Sequence, residues 1–242
     1  MAAKTRLDQL LVERGLVESA EKAQALIMAG DVLLNGQKAQ KAGQAVAADV
    51  RLELAKVARF VSRGGLKLAA ALEHFHIDAR DKVCLDVGAS TGGFTDCLLQ
   101  AGALRVHAVD VGAGQLDWKL RHDSRVILHE NLNARRLTFE DIKEPAAILV
   151  CDVSFISVTK ILPHAAALLQ PDGEMVVLVK PQFEVSRGQV GSGGIVRDAE
   201  LHRAACRRIE EAVQALGFST ELMESPILGA EGNKEFLLHG YH

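Results

Sequence analysis

The hydrophobic positions of the first sixty residues predict a small unit of helices and short strands. A helical period over 6–14 predicts a helix that is capped by Thr5 and ended by Gly15. A second helical period predicts a helix that starts at Ser19 and ends at Gly30. Short apolar runs then predict strands at 32–34, 45–46 and 50–54, with an Asn35-Gly36 hairpin turn after the first of them.

From residue 66 onward, apolar runs alternate with helical periods. The predicted strands are 83–87, 105–109, 126–128, 147–151, 174–179, 219–223 and 235–240. The predicted helices are 66–75, 94–100, 116–120, 158–169 and 199–216. Such alternation predicts an α/β fold: a doubly wound, Rossmann-like and mostly parallel seven-stranded sheet. Ligands on these sheets bind at the carboxyl ends of the strands.

The paired glycines Gly64-Gly65 permit a sharp change of chain direction and mark a domain boundary near Phe60. The sequence therefore predicts a small α+β domain over 1–58, a linker over 59–65 and a larger α/β domain over 66–242.

Composition adds a charge asymmetry to this picture. The 242 residues are 48% hydrophobic and carry a net charge of −3, and the first 64 contain ten Lys/Arg against seven Asp/Glu. This local excess of positive charge points to a polyanionic partner for the small domain. No apolar run approaches the ~18 residues of a membrane span, so we expect a cytoplasmic protein without membrane contact. The four cysteines lack metal-ligand spacing, and no metal site is expected.

The candidate cofactor site follows the first strand of the large domain. A glycine-rich turn separates that strand from a helix, whose N-terminal N–H groups are free to bind a ligand. Asp110 ends the next strand, where its carboxylate is expected to accept hydrogen bonds from ribose hydroxyls. The predicted cofactor-binding residues are Asp86, Gly88, Ala89, Ser90, Thr91, Gly92, Gly93, Phe94, Asp110 and, for adenine recognition, Asn131 or Asn133.

Two cofactors fit this layout, a nicotinamide dinucleotide and S-adenosylmethionine. The turn lacks the second glycine of the dinucleotide fingerprint, and Asp86 stands just before it. A carboxylate there repels a pyrophosphate and attracts a methionine ammonium. Charge therefore favours S-adenosylmethionine.

Further charged residues fall at strand ends near this site. Asp152 and Lys180 follow the fourth and fifth strands, Lys67 begins the preceding helix, and Glu235 begins a late strand. A ribose hydroxyl is a weak nucleophile, so its methylation needs alignment and removal of one proton. We hypothesise that Lys180 orients and deprotonates a 2′-hydroxyl, while Asp152 and Glu235 hold the two lysines.

The small domain resembles the S-four-type RNA-binding domain over residues 5 to 55. The resemblance rests on Arg6-Leu7-Asp8, Gly15, Ser19, Ala23, Ile27, Gly30, Val32 and Asn35-Gly36. Ala20 departs from it, because that family commonly has Arg at this position. The candidate RNA-binding residues are Arg6, Ser19, Lys22, Asn35, Lys38 and Arg63.

The whole chain resembles the TlyA (haemolysin A) family, which is related to FtsJ-type methyltransferases. Its motifs here include 62–68, 88–94, 152–157, 179–184, 193–198 and 232–236. The resemblance implies that Lys67, Asp152, Lys180 and Glu235 form a catalytic Lys-Asp-Lys-Glu tetrad. It also implies that the substrate is a cytidine ribose in ribosomal RNA, naked or in a subunit, and that a chain of this length modifies the large subunit.

Three other functions compete with this hypothesis. A non-catalytic RNA-binding or ribosome-assembly factor is disfavoured because Asp152 and Lys180 are both present. A membrane-active haemolysin lacks a spanning segment to support it. An oxidoreductase using a dinucleotide is disfavoured by Asp86. The sequence identifies no protein partner.

Overall fold

The computed structural model describes residues 4–54, 59–229 and 232–242, and its chain divides into two compact units, 1–59 and 60–242. The end predicted for the small domain, at residue 58, lies outside the described residues. Phe60 is buried in the hydrophobic core of the second unit, and a helix begins at Gly64. The linker predicted at 59–65 is therefore wrong from Phe60 onward, because an apolar side chain and the helix N-terminus pack into the larger unit.

The described part of the first unit, residues 4–54 and 59, contains two helices and five short strands. In chain order these are β1 (Lys4–Arg6), α1 (Leu7–Glu13), α2 (Ala20–Ala29), β2 (Val32–Leu34), β3 (Gln37–Lys38), β4 (Ala45–Ala47) and β5 (Leu52–Leu54). Strands β1 and β4 form an antiparallel pair, and β3, β2 and β5 form an antiparallel sheet. The core between them includes Leu7, Leu11, Ala23 and Ile27. Thr5 does not cap α1, because it lies in β1 and pairs there with Val46 of β4.

The second unit is built on a seven-stranded sheet. Its strands are β6 (Val83–Val87), β7 (Arg105–Val109), β8 (Val126–His129), β9 (Ala146–Cys151), β10 (Leu169–Val179), β11 (Ser219–Glu224) and β12 (Phe236–Tyr241). Their order is β11-β12-β10-β9-β6-β7-β8, and β12 alone among these strands runs antiparallel to both of its neighbours. The predicted doubly wound, mostly parallel sheet is confirmed.

Helices cover both faces of this sheet. They are α3 (Gly64–His74), α4 (Gly93–Gln100), α5 (Trp118–Arg121), α6 (Phe139–Ile142), α7 (Leu162–Ala166), α8 (Pro181–Glu184) and α9 (Ala199–Gln214). Alternate strand residues point to opposite faces, so Ile148 packs with α3 and α4 while Leu149 packs with α7 and α9. Burial on both faces explains why these strands read as continuous apolar runs.

One predicted helix is wrong. The helix expected at 158–169 is a 3₁₀ turn, Val158–Lys160, followed by the short α7, and Leu169 already belongs to β10. Pro163 lies in the first turn of α7, where its missing N–H and fixed backbone angle are tolerated but do not let a helix continue through it.

We expect Ser19→Ala to loosen α2. The Ser19 hydroxyl accepts a hydrogen bond from the Lys22 backbone N–H and so caps the helix; losing such a cap costs about 1 kcal/mol. Amide hydrogen exchange at residues 23–29 should accelerate about fivefold. Ser19→Asp keeps the cap and should exchange like the unaltered protein. Equal exchange in all three proteins would contradict the capping role.

Candidate active site

The turn between β6 and α4 depends on glycines at two positions. Gly88 has φ of +88°, and a Cβ on it would lie 2.3 Å from the Asp152 carbonyl oxygen. Gly92 has φ of +95°, and its Cβ would lie 2.2 Å from Leu120. Both positions combine a left-handed backbone with a close neighbour, so they exclude any side chain. Helix α4 then begins at Gly93, one residue before the predicted start.

Two adjoining clefts open at the carboxyl ends of the strands. One, of about 510 Å³, is lined by Val109, Asp110, Leu132, Asn133 and Ile161 together with Gly88, Ser90 and Asp152. The other, of about 610 Å³, is lined by the turn, by Arg63 and by the strand-end charges. Gly88, Ser90, Asp152, Ser154 and Phe155 line both clefts. A ligand in one cleft is therefore adjacent to a ligand in the other.

Most of the predicted cofactor residues line these clefts. Those that do are Gly88, Ala89, Ser90, Thr91, Gly93, Phe94, Asp110 and Asn133. Asn131 and Gly92 line neither cleft. Gly92 instead permits the turn, and the backbone N–H of Asn131 donates to the Gly112 carbonyl.

Asp110 is held by two backbone N–H groups. Ser90 N donates to its Oδ2 at 2.8 Å and Gly112 N donates to its Oδ1 at 2.7 Å. An ionised carboxylate has about four acceptor positions, so two remain for hydroxyl groups of a ligand. Asp110, which directly follows β7, thus fixes the turn after β6 and faces the smaller cleft.

Asp86 lies beneath the turn and lines neither cleft. Its side chain is fully buried; Thr95 Oγ1 donates to its Oδ2 at 2.6 Å, and its Oδ1 has no partner within the described part of the chain. Burial raises the pKa of this carboxyl to about 7, against the Thr95 hydrogen bond, which lowers it. Asp86 is predicted to bind a methionine ammonium directly or through water; its side chain is buried beneath the turn and does not form part of a cleft wall.

Four charged side chains form two ion pairs in the larger cleft. Lys67 pairs with Glu235, and Lys180 pairs with Asp152. Lys180 Nζ also donates to Ser154 Oγ at 2.9 Å. Each lysine therefore has its own carboxylate, and all four side chains line one space beside the glycine turn.

Sequence reasoning missed three features of this space. Phe155 is 92% exposed with φ of +66° and contacts the Phe183 ring. Asn233 is buried and binds the backbone of Gly194 and Val196, so the segment that contains these two residues is attached beside Glu235. Ser154 stands two residues after Asp152, a spacing that places both side chains beside Lys180.

The candidate RNA-binding residues of the first unit have contacts of their own. Arg6 makes a paired ion contact with the buried Asp8 and lowers its pKa to about 2. The Asn35 side chain accepts from the Arg51 backbone N–H, and Lys22 pairs with Glu18 at 3.3 Å. Ser19 caps α2, and Lys38 is exposed. Ser19, Asn35 and Arg6, which the sequence pattern predicts to bind RNA, thus make structural contacts within their own unit.

Neither a metal-binding cluster nor a membrane-spanning helix is present in the described part of the chain. Among residues 4–54, 59–229 and 232–242, no three His, Cys, Asp or Glu side chains are grouped to hold a metal ion. Within the same ranges, no helix has the length and apolar character needed to cross a membrane.

The arrangement of β6, a glycine turn, α4 and an acidic end of β7 defines a nucleoside-cofactor enzyme on a doubly wound sheet. Family models sharpen this class. An FtsJ-like methyltransferase model matches residues 60–241, and an S4 domain model matches residues 5–52. The chain belongs to the FtsJ-like methyltransferase family, and the predicted methyltransferase class is confirmed.

Individual relatives extend this similarity over nearly the whole chain. The 16S/23S rRNA (cytidine-2'-O)-methyltransferase TlyA of Mycobacterium tuberculosis is 45% identical over 98% of this chain and 90% of that protein. Hemolysin A of Brachyspira hyodysenteriae is 43% identical over 97% of this chain and 98% of that protein. A solved structure from Streptococcus thermophilus that carries a hemolysin name has a TM-score of 0.74 and 44% identity, covering 100% of this chain and 89% of that one.

Asp86→Asn should change how stability depends on pH. The carboxyl has a folded-state pKa of about 7, above an unfolded value of about 3.9, so the native state retains a proton that the unfolded state releases. Its stabilising contribution is complete below the unfolded pKa and is lost as pH rises toward 7.

The stability of Asp86→Asn relative to the unaltered protein should therefore rise between pH 5 and 7, by up to about 1.4 kcal/mol per pH unit. Above pH 7 the difference should level off. Urea unfolding of the cofactor-free proteins at pH 5, 6, 7 and 8 measures it. Parallel stability curves across this range would show that Asp86 does not titrate as described.

Proposed function

We propose that this protein transfers a methyl group from S-adenosylmethionine to the ribose 2′-hydroxyl of a cytidine in ribosomal RNA of the large subunit. The observation that carries the proposal is the larger cleft, where two lysine–carboxylate pairs lie beside the glycine turn. Membership of the FtsJ-like methyltransferase family supports the reaction class.

The residues of the smaller cleft fit the nucleoside part of this cofactor. Asp110 presents a carboxylate for ribose hydroxyls, and Asn133 presents an amide at the same wall. Leu132 and Ile156 add apolar surface for a flat base. The methionine part would extend along Gly88–Gly93 toward the larger cleft. When bound, S-adenosylmethionine supplies an electrophilic methyl group on a sulfonium.

The charged residues of the larger cleft act on the acceptor. In its neutral amine form, Lys180 orients the hydroxyl and takes up the hydroxyl proton as the new O–C bond forms and the C–S bond of the methyl donor breaks. Asp152 stabilises the resulting ammonium, and Ser154 fixes its direction by hydrogen bonding. Lys67, held by Glu235, adds positive charge that stabilises the developing oxyanion. The protein thus contributes alignment and charge, the two requirements of this reaction.

Two lines of support favour RNA as the acceptor. An S4 domain model covers residues 5–52, and a relative 45% identical to this chain is named for cytidine 2'-O-methylation of rRNA. Arg63 is exposed on the wall of the larger cleft, where it is able to contact a phosphate of the substrate strand. Lys38 and Lys22 supply further positive charge from the first unit.

Lys180→Ala should abolish methyl transfer and leave cofactor affinity unchanged. Removal of the group that handles the proton should lower turnover at least about a hundredfold, while the nucleoside cleft keeps all of its residues. The assay is transfer of labelled methyl from S-adenosylmethionine to separated ribosomal subunits, followed by digestion and mapping of methylated ribose. Calorimetry measures cofactor binding.

Lys82→Ala is the matched control. Lys82 also pairs with a carboxylate, Glu174 at 3.3 Å, but precedes β6 at the opposite edge of the sheet. It should retain full turnover. Label on a base atom with none on ribose would overturn the proposed reaction, and label on the small subunit alone would overturn the choice of RNA. A Lys180→Ala protein with most of its turnover would remove Lys180 from the mechanism.

A further inference from the structure

Glu184 is a buried carboxylate that the proposed mechanism does not use. It ends α8, four residues after Lys180, and is only 7% exposed. It lines neither of the two clefts described above. Burial raises its pKa, and hydrogen bonds from Ser157 and Val158 oppose that shift. A carboxylate in such a place has a desolvation cost that an apolar side chain would avoid.

The contacts of Glu184 all connect α8 to other segments. Ser157 Oγ donates to its Oε2 at 2.6 Å, and Val158 N donates to its Oε1 at 2.8 Å. Both donors belong to the loop that follows β9. The Glu184 carbonyl accepts from Arg208 Nη1 of α9 at 3.0 Å, which anchors the backbone of α8 from the other side. An apolar side chain at position 184 would provide no acceptor for Ser157 or for Val158.

The loop over 152–158 is therefore fixed to the segment over 180–184 at both ends. At its start, Asp152 and Ser154 contact Lys180; at its end, Ser157 and Val158 contact Glu184. Between these points the Phe155 and Phe183 rings lie 5.2 Å apart. Phe155 has φ of +66°, a conformation unfavourable for a bulky residue that persists only where its surroundings hold it.

We propose that Glu184 is a positioning residue for methyl transfer. By holding the end of the 152–158 loop, it keeps Asp152 and Ser154 in contact with Lys180 and so sets the direction of the Lys180 amine. The proposal rests on the role of Lys180 in the proposed function. Glu184 touches neither substrate nor cofactor, and its effect passes through the loop.

The test compares Glu184→Ala with Glu184→Gln and with Glu174→Ala. Glu174 lies on β10, the strand that ends before Lys180; away from the clefts it makes an ion pair with Lys82 and a hydrogen bond with His239 Nε2. Its removal controls for the loss of a partly buried, ion-paired carboxylate. Glutamine at 184 retains the size of the side chain and an acceptor for the Val158 N–H, and its amide can donate to Ser157.

Two measurements are made on each full-length protein. The first is the rate at which acetic anhydride labels Lys180, read by peptide mass spectrometry with exposed Lys143 as the internal standard. The second is kcat and KM for methyl transfer to ribosomal subunits. Glu184→Ala should label Lys180 several-fold faster and lower kcat by about tenfold to a hundredfold, with KM for S-adenosylmethionine unchanged. Glu184→Gln should restore most of both, and Glu174→Ala should change neither.

The proposal is overturned if Glu184→Ala leaves Lys180 labelling and kcat unchanged, or if Glu174→Ala lowers kcat equally. If Glu184→Ala does not fold, Ser157→Ala removes one of the two bonds and should give an intermediate increase in labelling; no increase would overturn the proposal. An unaltered protein that fails to methylate RNA would refute the proposed function, whereas the labelling result would still decide whether Glu184 positions Lys180.

Discussion

The backbone of Gly88 lies against the backbone of Asp152, and both clefts depend on that contact. Parallel pairing of β6 with β9 sets Val87 opposite Cys151, so the two chains leave the sheet side by side. The Asp152 N–H donates to the Val87 carbonyl at 2.9 Å, and a Cβ at Gly88 would overlap the Asp152 carbonyl. The glycine turn after β6 and the loop that begins with Asp152 are therefore adjacent.

Charge at this edge of the sheet is balanced by local pairing. Asp110 and Asp152 directly follow β7 and β9, the two neighbours of β6, and Asp86 lies within β6. The nearby Asp152 and Asp110 charges add to the burial that raises the pKa of Asp86. Lys180 and Lys67 each pair with one carboxylate. Two backbone N–H groups donate to Asp110, one to each carboxylate oxygen. The result is a site with lysine amines held in fixed directions beside a cleft with free acceptor positions, as alignment catalysis requires.

The features that the sequence predicts best are those with a direct physical signature. Strands buried on both faces read as apolar runs, and the ends of these runs predict that Asp110, Asp152 and Lys180 lie at one edge of the sheet. Errors arose where tertiary contacts overrode local pattern. Thr5 is a good helix cap but is recruited by Val46 into a strand, and Phe60 joins the core of the larger unit despite the glycines that follow it.

Side-chain roles were harder to predict than positions. Ser19 and Asn35 fit an RNA-binding pattern, yet both bind the backbone of their own unit, because the residues that cap helices and turns are the same polar types that contact RNA. Asp86 has the predicted charge, but its side chain lies on a face of β6 that α4 covers, where Thr95 binds it. Glu184 lies in the 179–184 motif, but its role could not be predicted, since its partners are distant in the chain.

A crystal structure with S-adenosylmethionine bound tests the central claim most directly, namely that the two clefts hold methyl donor and acceptor side by side. We expect the ribose to bind Asp110, the base to lie beside Asn133, and the sulfonium methyl to be directed into the larger cleft toward Lys180. A cofactor bound with its methyl directed away from Lys180, or bound outside these clefts, would contradict it.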